Sequence, residues 1–107
     1  MDTLEILTKA IQQRKPISFE YNIEGRAIGL RYGNPHAIYL SSTDKVNIHI
    51  WKTGGVKTDP AQNLPTWRTY SIKHIENITI FEDQENFSLA VDYKPNSPMY
   101  SRALAKS

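Results

Sequence analysis

At Pro16 the apolar pattern of this chain changes period, and that change constrains the fold more than any other feature. Before it, Leu4, Leu7 and Ile11 recur at helical spacing while Lys9, Gln12, Gln13 and Arg14 take the solvent positions, so residues 3–14 read as an amphipathic helix. Asp2, with Glu5 three residues later, supplies a cap, and Pro16 stops the helix by disfavouring helical backbone at Lys15. After it, Ile17, Phe19 and Tyr21 alternate with Ser18 and Glu20, as a strand with one buried face requires.

Strand-like runs then follow one another closely. Asn22-Ile23-Glu24-Gly25 is turn chemistry, Arg26 to Tyr32 returns as a second strand weakened by Gly29, and Gly33-Asn34-Pro35 reads as a break. His36 to Ser41 forms the next strand, and Thr43-Asp44-Lys45 turns the chain into Val46 to Trp51. Residues 53–66, with Gly54, Gly55, Pro60 and Pro65, read as an unusually long loop. Trp67 to Ile72 resumes the alternation, and Ile75, Ile78 and Ile80 complete it after a short turn. Ser97 and Pro98 suit the start of a short C-terminal helix with Met99 and Leu104 facing inward. The expected fold is mainly β (α+β), one domain over residues 1–107: helix 3–14, a five-stranded small β-barrel over 17–81, and a C-terminal extension over 82–107.

Composition narrows the function classes. A formal charge of +2 is too mild for a histone-like binder of nucleic acid, but its distribution is uneven. Residues 44–75 hold Lys45, Lys52, Lys57, Arg68 and Lys73 against Asp44 and Asp59, net +3, whereas residues 76–93 carry five acids and no base. Without cysteine there is neither a disulfide framework nor a thiolate metal site. Asp2 and Glu5 stand where a secretory leader would be basic, and the longest apolar run, Ala37 to Leu40, is far below the roughly 20 residues of a membrane span, so the expected setting is cytoplasmic with no membrane partner.

The candidate site residues are cations and aromatics on the strands. Arg26, Arg31, Arg68 and Lys73 would hold phosphates, His36 and His49 would add hydrogen bonds, and Tyr32 or Tyr70 would stack on a flat ring. Each has an ordinary alternative: Arg68 in a surface ion pair, His36 as a hydrogen-bonded residue at the start of a strand, Arg26 and Arg31 as solvated arginines. Tyr21, Trp51 and Trp67 suit the core of a small barrel better than a stacking platform. His36, His49 and His74 lack metal-ligand spacing, and no serine stands in a Gly-x-Ser-x-Gly elbow, so neither a metal centre, a cofactor nor a catalytic constellation is expected.

The order of pieces resembles the WYL domain family over residues 4–100. Ala10-Ile11 with Arg14-Lys15 precedes Ile17-Ser18-Phe19-Glu20-Tyr21; Asn34-Pro35-His36-Ala37-Ile38 follows, then Trp67-Arg68-Thr69-Tyr70-Ser71-Ile72-Lys73-His74-Ile75, with Thr53-Gly54-Gly55 and Tyr93-Lys94-Pro95-Asn96 in the family's order. The eponymous tripeptide is not intact: Val46-Asn47-Ile48 stands at its strand when Asn34-Pro35-His36 is matched to the family's Glu-Pro-His. The resemblance implies an Sm-like β-barrel preceded by a helix and a regulatory, ligand-sensing role through a basic, aromatic groove for nucleotide-like ligands or nucleic acid. It implies that His36, Arg68 and Lys73 occupy ligand-contact positions, with His49 where an arginine is common. The alternative, from another class, is a protein-interaction adaptor or homodimer joined through exposed strand edges.

Overall fold

The computed structural model describes residues 2–107. Helix α1 (Thr3–Gln13) forms where the helical period placed it: Asp2 accepts the Glu5 N–H at 2.8 Å, and Arg14, at φ 53°, ends it in a left-handed cap. Its buried face is Leu7, Ala10 and Ile11, while Leu4, the first residue of the expected stripe, is 38% exposed.

Six strands follow: β1 (Ile17–Tyr21), β2 (Leu30–Leu40), β3 (Val46–Gly55), β4 (Thr66–Ser71), β5 (Ile75–Ile80) and β6 (Ala103–Lys106). They form one antiparallel sheet in the order β4-β3-β2-β1-β5, with β6 also on β2. The expected break at Gly33-Asn34-Pro35 is no break. These residues lie inside β2, an 11-residue strand whose first half pairs with β1 (Ile17 opposite Gly33) and whose second half pairs with β6 (Ala37 opposite Lys106). Pro35 is tolerated because the pairing with β3 shifts register on either side of it, between Tyr32 and Gly33 and again between Pro35 and Ala37. Gly54 and Gly55 extend β3, so the long loop shrinks to residues 56–65.

The sheet is not the five-stranded small barrel that the strand count suggested, closed or nearly so. It has six strands, and β4 and β5 are its two ends, with no ladder joining them. The curl is nevertheless strong. In a flat sheet β4 and β1 would lie three spacings of about 4.8 Å apart, yet the Tyr70 ring lies 5.1 Å from Phe19 and 4.8 Å from Tyr21. Tyr21 OH also accepts the Ser71 N–H at 3.0 Å, so a side chain bridges the seam where backbone does not.

Inside the curl, Leu7 and Ile11 of α1 meet Ile17, Phe19, Ile38, Ile48, Ile50, Tyr70 and Ile75. A second cluster covers the outer face, where Ala37 and Tyr39 pack with Tyr93 and Tyr100. The C-terminal segment is thus part of the fold. In place of the expected terminal α-helix it forms a single 3₁₀ turn, Pro98–Tyr100, which buries Tyr100 and leaves Met99 and Leu104 about half exposed. No helix among the described residues is long and apolar enough to cross a membrane.

At Gly33 β2 and β3 approach closely: a Cβ there would meet Ile50 Cγ2 at 2.5 Å and the Trp51 carbonyl oxygen at 2.9 Å. Gly33→Ala should therefore cost about 1–3 kcal/mol in urea unfolding. A variant as stable as the parent would show that β2 and β3 do not cross this closely.

Candidate functional site

The alternation that builds the core continues past it and carries cations inward. On β3, Ile48, Ile50 and Lys52 share the buried face; on β4, Arg68 and Tyr70 share it, with Arg68 opposite Ile50 and Tyr70 opposite Ile48. On β2, Gly33 lies opposite Lys52, and Arg31 is two residues earlier on the same face. Arg31, Lys52 and Arg68 therefore converge at one end of the curled sheet. Arg31 and Lys52 are each only 1% exposed, and Arg68 is half-buried.

Neutral acceptors from the chain surround these charges. Arg31 Nη2 donates to the Ala27 carbonyl at 3.0 Å and to Thr58 Oγ1 at 3.3 Å, and Lys52 Nζ donates to the Val56 carbonyl at 2.6 Å. The Arg31 guanidinium also lies 5.8 Å from the Tyr21 ring centre and 5.7 Å from that of Tyr70. Lys57 donates to the carbonyls of Pro60 and Gln62, holding residues 56–65 as a strap over this end. Burial, reinforced by Arg31, Arg68 and Lys57, pushes the Lys52 ammonium down to about 8. No carboxylate answers it. Among the described residues the ion pairs are Lys9 with Glu82 and Arg102 with Asp44, both on the exposed surface.

Three buried side-chain atoms among the described residues lack any hydrogen-bond partner: Arg31 Nε, Arg68 Nε and Tyr70 OH. All three belong to this cluster. Buried polar groups are normally paired, and a buried charge without an opposite one costs several kcal/mol. An arrangement of unpaired donors and uncompensated cations is electrostatically complementary to an anion.

The other expected residues sit elsewhere. Arg26 is exposed on the turn after β1, beside a groove of about 470 Å³ that also holds Glu20, Glu24 and Glu76, so its surroundings are acidic rather than basic. Lys73 is exposed on the 3₁₀ turn after β4; because β4 runs from Thr66, opposite Lys52, to Ser71, opposite Asn47, Lys73 lies at the far end from the cluster. Tyr32 faces outward and stacks on Phe81 at 6.4 Å, whereas Tyr70 borders the cluster but is enclosed, its ring packed on Phe19, Tyr21 and Arg31 rather than open to stack on a ligand.

His36 has no exposed surface. Its Nε2 accepts the Ala90 N–H at 3.1 Å, which leaves the proton on Nδ1 to be donated to the Asn34 carbonyl at 2.8 Å. With Trp67, Phe87 and Tyr93 rings around it, the imidazole anchors the C-terminal segment to β2, and burial holds it below the ordinary histidine range. His49 is half-buried on the outer face between Tyr39 OH, at 2.9 Å, and Tyr100 OH, at 2.7 Å, and is likewise lowered by burial. It borders a groove of about 310 Å³ walled by Trp67, Tyr93, Met99 and Tyr100. Trp67 and Arg68 are neighbours on one strand and so point to opposite faces, which separates this aromatic groove from the cations.

Of the expected phosphate-holding residues, Arg31 and Arg68 come together and Arg26 and Lys73 stand apart. Lys52 was not among them, although its signal was present: two residues beyond Ile50, it belongs to the buried side of β3. Among the described residues no three His, Asp or Glu side chains are grouped as a metal ion would require. Compared with protein-family models, curated proteins and solved structures, the chain has no match.

Because the folded value of Lys52 lies below the ordinary 10.5, the unfolded chain binds the extra proton between about pH 8 and 10.5. Lys52 thus costs stability below that window, and the cost fades as pH rises through it. The unfolding free energy of the parent, relative to Lys52→Met, should climb by about 1–3 kcal/mol across the window in urea titrations. A pH-independent difference would mean that this ammonium is solvated.

Proposed function

We propose that this chain is a non-enzymatic, WYL-like binding module that takes a phosphate-bearing ligand, a nucleotide, oligonucleotide or single strand, at the end of the sheet formed by Arg31, Lys52 and Arg68. It would act as a ligand sensor or accessory regulator. The observation that carries this reading is the cluster of cations with no carboxylate among them and with guanidinium donors left unpaired. Phosphate oxygens supply the charge and the acceptors that the chain itself withholds. Cations grouped without a carboxylate or histidine in hydrogen-bond contact to relay a proton support binding better than proton or group transfer.

Arg68 is the half-buried member, on an end strand of the sheet, and is therefore the cation that a ligand meets first. Fluorescence anisotropy with a short single-stranded oligonucleotide should show binding that weakens as salt rises. Arg68→Ala should lower the affinity by roughly tenfold and reduce the salt slope by about 1, with circular dichroism unchanged. Absence of binding by the parent at low salt would remove this reading.

A self-associating adaptor is the second reading. It is favoured by the open ends of the sheet at β4 and β5 and by the exposure of Ile28 and Leu30 beside β1. Light scattering that gives a dimer mass, together with indifference to every oligonucleotide, would favour it over the first.

A further inference from the structure

Burial restricts what can reach the cluster. Arg31 and Lys52 are each 1% exposed, so a ligand group that contacts both must pass beneath the strap of residues 56–65 and be small. An extended backbone lying across the surface cannot do this along its length.

The donors left over define the acceptor. Arg31 uses only Nη2 on the Ala27 carbonyl and the Thr58 hydroxyl, leaving its Nε–H unpaired; Lys52 uses one of its three donors on the Val56 carbonyl; Arg68 Nε–H and Tyr70 OH have no partner. These donors belong to β2, β3 and β4 and share one face, so a single compact group with several acceptor oxygens meets them better than a planar one. The acceptors on Arg31 and Lys52 are all neutral, which solvates those two cations without offsetting their charge.

Oxyanions differ in both respects. A carboxylate offers one negative charge and two oxygens. An internal phosphodiester also carries one charge and two free oxygens, and its two ester oxygens continue into chain that would have to be buried as well. A terminal phosphate carries about −1.5 to −2 at neutral pH on three free oxygens and has a single covalent exit.

We propose that Arg31, Lys52 and Arg68 form a buried site for one terminal phosphate group, so that the module recognises the phosphorylated end of a nucleotide or strand rather than its internal backbone. This rests on the phosphate-binding reading above and names the part of the ligand that is read. On entry the phosphate oxygens meet the donors left over on Arg31, Lys52 and Arg68, while the Val56 carbonyl and the Thr58 hydroxyl keep their places. Bases beyond the first phosphate remain outside, which makes recognition of the end independent of sequence.

The test is isothermal titration of the full chain with four probes: a pentanucleotide bearing a 5′-phosphate, the same strand with a 3′-phosphate, the same strand with hydroxyls at both ends, and inorganic phosphate. One of the end-phosphorylated strands should bind at least roughly tenfold more tightly than the hydroxyl strand, the effect of about one charge-assisted hydrogen bond. Lys52→Met, which removes a buried charge and so should fold at least as well, should erase that preference. Equal affinity for all three strands overturns end recognition and leaves the broader phosphate-binding reading standing. Binding of inorganic phosphate without any strand supports the buried site and overturns the nucleic-acid reading. Binding of none of the four overturns both, and a preference that survives Lys52→Met places the end elsewhere.

Discussion

Positive charge held inside a curled sheet without an acid to balance it is the constraint on which this molecule turns. Three cations from three adjacent strands meet at one end of an otherwise apolar interior. Carbonyls, a hydroxyl and two tyrosine rings keep Arg31 and Lys52 tolerable. The cost of that arrangement falls on folding, and the apolar cluster from Leu7 to Ile75 must outweigh it. A chain selected only for stability would place apolar side chains at these positions, because well-packed apolar replacements of buried charges are often neutral or stabilising. The cluster is therefore a cost to folding that the proposed phosphate binding would offset.

The curl of the sheet is what makes the cluster possible. β2 spans the molecule, pairing with β1 by its first half and β6 by its second, and the register shifts around Pro35 let it bend. Gly33 allows β3 to cross it closely, and Gly55, at φ 90° and within reach of Leu30 and Arg31 backbone, lets β3 leave the sheet and start the strap. At the far side of the curl Tyr21 ties β1 to the end of β4. The interior is thus apolar under α1 and cationic under the strap, while the outer face is closed by aromatic rings around His36.

Much of this was legible in the sequence. The helix, the switch to strands at Pro16 and the alternation on β3 and β4 followed from apolar spacing alone. The unity of β2 did not, because Gly33-Asn34-Pro35 carries local turn chemistry that pairing with strands on both sides overrides. Nor did β6: Ala103 to Lys106 is short, and its register on β2 is set by a tyrosine cluster assembled from distant segments. Arg31 and Arg68 could be named as candidates from residue type, but whether they met depended on which strands were neighbours. Lys52 was readable from its place two residues after Ile50, yet a lysine is ordinarily assigned to solvent. Arg26 and Lys73 share the residue type of the cluster but sit on turns, where strand parity no longer governs direction.

The most direct test of the account is whether an anion engages the buried guanidinium groups. Two-dimensional NMR of the arginine Nε–H resonances during titration with inorganic phosphate reads this at the atoms concerned. The account predicts that Arg31 and Arg68 Nε–H shift together and saturate while Arg26 does not respond. Phosphate that moves Arg26 and leaves Arg31 and Arg68 unchanged would contradict it.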